Sequence, residues 1–213
     1  MSCDGVRVAQ PLFPVEGQGS TPMSPLQLEI VVVDALKAID LNRLWHSTLP
    51  KITSSNIYRN TYRICFGALY KNCYFAVAIW TSPVAQNRLK NGFETLELRR
   101  LAISNSAPKN TASRMLSVMC KIIKSEFRDV FKLISYQDTG QHIGTIYKAS
   151  GLKPIKSNTK FLSWENRPGR TDKTDAPKIR WEKQIRPEPE NDIIKNVTEE
   201  LKRMPIQQQM FRS

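Results

Sequence analysis

The segment from Glu94 to Ser135 constrains the fold more than any other part of the chain. Leu96 and Leu98 alternate with Glu97 and Arg99, and the run then turns apolar through Leu101, Ala102 and Ile103, the pattern of a central strand. Ser106-Ala-Pro-Lys-Asn110 interrupts it as a loop. From Thr111 to Phe127 the apolar residues Met115, Leu116, Met119, Ile122, Ile123 and Phe127 recur at steps of three and four, which predicts a helix with one buried face. Val130 to Ser135 is short and apolar again, a further strand. Strands and amphipathic helices in this order can bury their apolar faces only by layering helices on a sheet, so the class is α/β.

The flanking chain adds elements of the same kind. Residues 1–25 are rich in Pro, Gly, Ser and Gln and read as a flexible lead. Leu28 to Val33 is β-branched, a first strand; Asp34 can cap a helix through Trp45, with Ala35, Leu36, Ile39, Leu44 and Trp45 available for burial. Pro50 disfavours helix just before it, which leaves His46 at a helix-to-loop junction, and Ser54 to Asn60 reads as more loop. Tyr62–Tyr70 and Tyr74–Trp80 flank Lys71-Asn72-Cys73 as a hairpin, and the second run is apolar throughout, so both its faces should be covered. Leu152–Ile155 and Phe161–Trp164 are candidate closing strands. Arg167-Pro-Gly-Arg170 marks a boundary, beyond which Lys178–Ile185 can add an edge strand and Asp192–Met204 a weak helix. The expected organisation is a lead over 1–25, a catalytic domain over 26–164 and a charged extension over 165–213.

Charge narrows the partners. The net charge is +13, and residues 61–163 alone carry 16 basic against 5 acidic side chains. An excess in the middle of the fold suits a polyanion held on the folded surface, either nucleic acid or a multiply phosphorylated cofactor, while plain solubility charge is the bland alternative. Tyr58, Tyr62, Trp80, Arg59, Arg63 and Arg88 interleave aromatic and basic groups, a mix that can hold an extruded base or can simply be core. Cys3, Cys65, Cys73 and Cys120 show no paired C-x-x-C spacing, and no run approaches membrane-spanning length. A soluble protein of a reducing cytoplasm is expected, with no membrane partner.

The chemistry concentrates at Leu133–Gly151, a strand, a polar loop and a short helix stopped by Gly151. Ser135, Tyr136, Asp138, His142 and Tyr147 all fall there, at a strand's carboxyl end, where open α/β sheets bind ligands. Tyr147 is either a core phenol or a positioned proton donor, and Asp138 either a loop cap or a functional carboxylate. His46 and His142, the two histidines, can combine with Asp138 as the two-His-one-carboxylate set that suits iron, or can be unrelated loop residues. Arg99 and Arg100 should alternate faces, with Glu97 pairing Arg99 and Arg100 left to bind an anion. Ser113 and Arg114 open a helix, where a cap and a phosphate contact are equally consistent.

The order of elements over roughly residues 26–164 resembles the GNAT N-acyltransferase fold: a mixed, mostly antiparallel central sheet flanked by helices. The resemblance implies that Leu96–Ser104, the loop 106–110 and the helix start at Thr111–Arg114 hold the pyrophosphate of acetyl-CoA or a related acyl donor. Leu101, Ile103, Lys109, Asn110 and Arg114 are the cofactor-binding residues it implies, although the loop here lacks that family's glycines. Glu97-Leu-x-Arg100, Pro108-Lys-Asn-x-x-Ser-Arg114, Ser135-Tyr-x-Asp138 and His142-x-Gly-Thr-Ile-Tyr-Lys-Ala149 further resemble phage Mom-type proteins, with a weaker match at His46-Ser47. Those are GNAT-like enzymes that add an acetamido-type (methylcarbamoyl) group to adenine in DNA. The resemblance implies Arg100, Ser113, Asp138 and Tyr147 as catalytic residues, iron near His46 and Asp138, and double-stranded DNA as partner in a host cytoplasm. An acetyl-CoA-dependent N-acetyltransferase acting on a protein or small amine, and an inactive DNA-binding module, are the rival expectations.

Overall fold

The computed structural model describes residues 21–46, 52–60, 62–83, 94–141, 143–155 and 178–187. Within them the order is β1 (Glu29–Val32), α1 (Ala35–Trp45), α2 (Ser54–Tyr58), β2 (Arg63–Tyr70), β3 (Cys73–Thr81), β4 (Glu94–Ile103), α3 (Thr111–Glu126), β5 (Val130–Asp138), α4 (Thr145–Ala149), β6 (Lys153–Ile155) and β7 (Lys178–Gln184). The strands form one seven-stranded sheet ordered β1-β2-β3-β4-β5-β7-β6. Every pairing is antiparallel except β4 with β5. The α/β class and the mostly antiparallel sheet are therefore as the sequence predicts.

Local chemistry explains most boundaries. Asp34 starts α1 by accepting from the N–H groups of Leu36 and Lys37. Lys71 and Asn72 both adopt positive φ, 44° and 64°, which matches the right-handed twist of the hairpin strands they join. Gly151, at φ 76°, ends α4 where a side chain would be strained. One core lies beneath α3 and α4 and contains Ala76, Ala78, Trp80, Leu96, Leu98, Met115, Leu116, Met119 and Leu133. The other lies beneath α1 and α2 and contains Ile39, Leu41, Ile57, Val77, Ile79 and Ala102. β3 thus feeds both cores by alternation, as its unbroken apolar run implies.

Four expectations change. The buried face of α1 is Ala38, Ile39, Leu41 and Asn42, while Leu36 and Leu44 are exposed, because the 100° step carries them off the sheet. Ser54–Tyr58, read as loop, is a short helix, secured by the fully buried Ile57 and by Asn60 donating to the carbonyls of Asn56 and Ile57. Lys178–Gln184 is not an edge strand: it sits between β5 and β6, so this part of the extension belongs to the sheet. β5 also runs three residues beyond Ser135, to Asp138, because β7 pairs with it that far. The expected strand at Phe161–Trp164 and helix at Asp192–Met204 lie outside the described residues.

Because Ile57 is the apolar anchor of a five-residue helix, Ile57→Ala should lower stability by about 2–4 kcal/mol, the range for a truncated core isoleucine. Urea denaturation of both proteins measures it; a change under about 1 kcal/mol would show that α2 is held by other means.

Candidate active site

The sheet divides between its two parallel strands. β4 and β5 pair from Glu94–Val130 only as far as Leu98–Ser135. β3 stays on β4 to Ile103, and β7 stays on β5 to Asp138, so each half of the sheet continues with its own neighbour. The cause lies in β4: Ile79 faces Arg100 and Trp80 faces Leu98, which leaves Arg99 as an extra residue in a bulge. The bulge also reverses face parity, since Leu96 and Leu98 before it and Leu101 and Ile103 after it all pack on the α3 core. Beyond Leu98 the β5-facing edge of β4 has no strand paired to it among the described residues.

On the α1 face of this fork basic groups predominate: Arg99, Arg100 and His46 stand against Glu97 and Asp138. Arg100, opposite Ile79, shares that face with Ala102, and its Nη1 donates to the carbonyl of Arg99 at 2.7 Å. Arg99 does not take the opposite face alone: it reaches α2, where its Nη1 meets the carbonyl of Asn56 at 3.4 Å. Burial, followed by the Arg99 charge, pulls the Arg100 guanidinium down to about 10, and Glu97 opposes the shift. Glu97 therefore acts on Arg100, where the sequence suggested Arg99. His46, the C-cap of α1, is lowered by burial and then by the Arg100 charge. One turn earlier, Asn42 is 4% exposed and its Oδ1 has no hydrogen-bond partner among the described residues. Asp138 faces this side too, by alternation from the inward-facing Ser135 and Gln137, and accepts from the Gly140 N–H at 3.0 Å.

On the α3–α4 face lies Tyr147. Its side chain is 5% exposed, and its hydroxyl points at the carbonyl of Tyr136 (3.5 Å), in the part of β5 that β4 no longer covers. Burial raises the phenol, while a hydrogen bond with the Ser135 side chain works the other way. Asp138 and Tyr147 thus flank the same end of β5 from opposite faces.

At the same end of the sheet α3 begins. Asn110 caps it in a left-handed conformation (φ 66°) without a side-chain hydrogen bond, and Lys109 beside it is exposed. The N–H groups of Thr111 and Arg114 are taken by Pro108 and Asn110. Those of Ala112 and Ser113 belong to the turn that has no intrahelical acceptor, an anion-receptive arrangement. Ser113 donates its hydroxyl to the Asn110 carbonyl (3.1 Å), and Arg114 donates to the Leu28 carbonyl (2.9 Å), so both side chains brace the helix start. Leu101 and Ile103 point into the core, which leaves the backbone of β4, not these side chains, at the fork.

The iron expectation finds no support. His142 lies outside the described residues, and among the described residues no three His, Cys, Asp or Glu side chains gather to hold a metal. His46, moreover, sits in the field of Arg100, which disfavours a cation. Burial pushes the thiols of Cys65 and Cys120 up to about 12 and about 11, so they stay protonated and are poor nucleophiles. No described helix is long and apolar enough to cross a membrane.

A model of the Mom protein family matches residues 27–212, most of the chain. The chain belongs to the Mom protein family. This Mom-family chain also has the fold of the GNAT N-acetyltransferases. It resembles an acetyltransferase of Bacillus subtilis in complex with CoA (13% identity, TM-score 0.53, covering 74% of this chain and 98% of that one). It resembles a GNAT family acetyltransferase of Elizabethkingia anophelis with acetyl-CoA bound (18%, 0.51, 74% and 98%). The ribosomal-protein-S18-alanine N-acetyltransferase of Escherichia coli is similar as well (12%, 0.52, 77% and 97%). No curated protein sequence matches the chain.

Sequence reasoning missed Asn42, Gln137 and Trp181, each a polar or amphipathic side chain packed inward. The available signal was positional: Asn42 follows Ala38 by one helical turn, and Gln137 continues the alternation Leu133, Ser135.

The depressed His46 imidazole makes a pH prediction. Its folded-state value lies below the ordinary 6.5, so between the two the unfolded chain binds more protons, and stability falls as pH drops through that window. Urea denaturation between pH 8 and 5 should show a shallower loss for His46→Gln than for the wild type; equal slopes would refute the assignment.

Proposed function

We propose that this protein is an acyltransferase-like enzyme that adds an acetamido or methylcarbamoyl-type group to a base in double-stranded DNA, adenine above all. The carrying observation is the fork between β4 and β5, with Asp138 on one face of the β5 end and Tyr147 on the other. A transfer reaction needs two such sides, one where the acceptor loses a proton and one where the leaving group gains one. The membership in the Mom family and the CoA- and acetyl-CoA-bound state of two structural relatives support the same reading.

The residues present fit a CoA-type donor. The Ala112 and Ser113 N–H groups and Lys109 would hold its pyrophosphate, with the uncovered edge of β4 at Leu101 and Ile103 alongside its extended arm. Such a donor supplies an activated carbonyl carbon when bound. On the acceptor side, Arg99 and Arg100 hold nucleotide phosphate, and an extruded base presents its exocyclic amine to Asp138. With a thioester donor bound whose acyl group already carries the nitrogen of the transferred group, Asp138 would take the amine proton and Tyr147 would give its own to the leaving thiolate. Burial keeps the phenol protonated near neutral pH, as a proton donor requires. The +11 excess over residues 61–163 would bring DNA, in the cytoplasm, to this face with strong salt dependence.

Mass spectrometry of nucleosides from DNA co-expressed with the full chain is the test. The wild type should yield a mass-shifted adenine nucleoside, and Tyr147→Phe should lower its yield by roughly 100-fold or more with the fold intact. Unmodified adenine beside soluble wild-type protein overturns the proposal. Tight acetyl-CoA binding without DNA affinity would select an ordinary N-acetyltransferase instead.

A further inference from the structure

The Tyr147 ring, part of the core beneath α3 and α4, also has an aromatic neighbour. It stacks on the Trp181 indole, with centroids 5.4 Å apart and planes 23° from parallel. Trp181 lies in β7 opposite Ser135, the residue whose side chain bonds the Tyr147 hydroxyl. The indole is itself fixed: its Nε1–H donates to Gln137 Oε1 at 2.8 Å, both groups buried. Gly144 lets α4 begin against this pair. A Cβ there would stand 2.5 Å from Gln137 Oε1 and 2.8 Å from Trp181 Cζ2, and the residue has φ 81°. Farther along, Lys183 Nζ donates to the Ser150 carbonyl at 2.7 Å, so β7 also grips the end of the helix that carries Tyr147.

A phenol held only by packing can rotate about its χ1 and χ2 bonds, and a proton donor displaced by about 1 Å loses much of its effect. Here a neighbouring indole fixes the plane of the ring, while Ser135 and the Tyr136 carbonyl fix the hydroxyl. We infer that Trp181, oriented by Gln137, is a positioning residue for Tyr147: strand β7 sets the direction in which the phenol presents its proton at the fork. The inference rests on Tyr147 being the proton donor of the proposed reaction. It adds that a residue of the C-terminal extension, remote in sequence from all the others, is needed to aim that donor.

Two readouts on the full-length protein test it. The first is turnover on DNA, separated into kcat and KM. Trp181→Leu, and the double variant Trp181→Phe with Gln137→Leu, should lower kcat roughly tenfold to hundredfold while KM for DNA changes less than about twofold. The double variant keeps an aromatic ring and removes the indole N–H together with its acceptor, so it serves if Trp181→Leu fails to fold. The second readout needs no activity: the 13Cζ resonance of Tyr147, assigned by its loss in Tyr147→Phe. It should shift and broaden in the folded variants, and its alkaline titration should move toward that of an ordinary tyrosine. An unchanged kcat, or an unchanged Tyr147 resonance in a folded variant, overturns the inference. A wild type that modifies no DNA sinks the functional reading alone, and the resonance then still decides whether Trp181 orients the phenol.

Discussion

One extra residue in β4 organises this molecule. Arg99 bulges out of register with β3, the strand bends, and the parallel pairing with β5 stops at Leu98 and Ser135. Arg99, Arg100, Asp138, Tyr147 and the start of α3 all lie toward the end of the sheet where the two strands part. Arg99 and Arg100 occupy one wall because the bulge turns both toward α1 and α2. The first turn of α3 arrives beside the fork because β4 ends there. Tyr147 reaches it because α4 folds back across β5. Without the bulge the face parity of β4 would not reverse, and Arg100 would be driven into the apolar core beneath α3, an uncompensated charge among Leu and Met side chains.

The electrostatics follow from the same division. The α1 face concentrates two guanidinium groups and an imidazole whose protonation burial, and then the Arg100 charge, suppresses, an environment that favours anions. On the α4 face the charges of Lys183 and Arg114 are turned onto backbone carbonyls, and the titratable group beside the end of β5 is a phenol that burial keeps neutral. A sheet split in this way separates two electrostatic environments within a few residues, one dominated by guanidinium charge and one in which burial favours the neutral form of a phenol.

How much of this was legible in the sequence follows from which interactions are local. The α3 periodicity, the Asp34 cap, the Lys71-Asn72 turn and the Gly151 stop are written in short windows, and each took the form the sequence implied. The parallel contact of β4 with β5, the bulge and the placing of β7 inside the sheet depend on partners far along the chain, where no window reaches. Arg99 and Arg100 show the difference well: simple alternation sends them to opposite faces, and only the register with β3 reveals that they share one. Asp138 and Tyr147 could be picked out as candidates by residue type. That they approach the fork from opposite faces, and that an indole of the extension underlies the phenol, is information only the tertiary structure holds.

The position of β7 bears on how the protein is made. β5, α4 and β6 all leave the ribosome well before Lys178–Gln184, yet β5 and β6 have no contact in the sheet until that strand slides between them. A nascent chain therefore carries its phenol on an unfinished surface, lacking both the ring beneath it and the lysine that clasps its helix. Support for the phenol therefore arrives late, with β7, and a chain truncated before Trp181 would leave the face that carries Tyr147 unsupported.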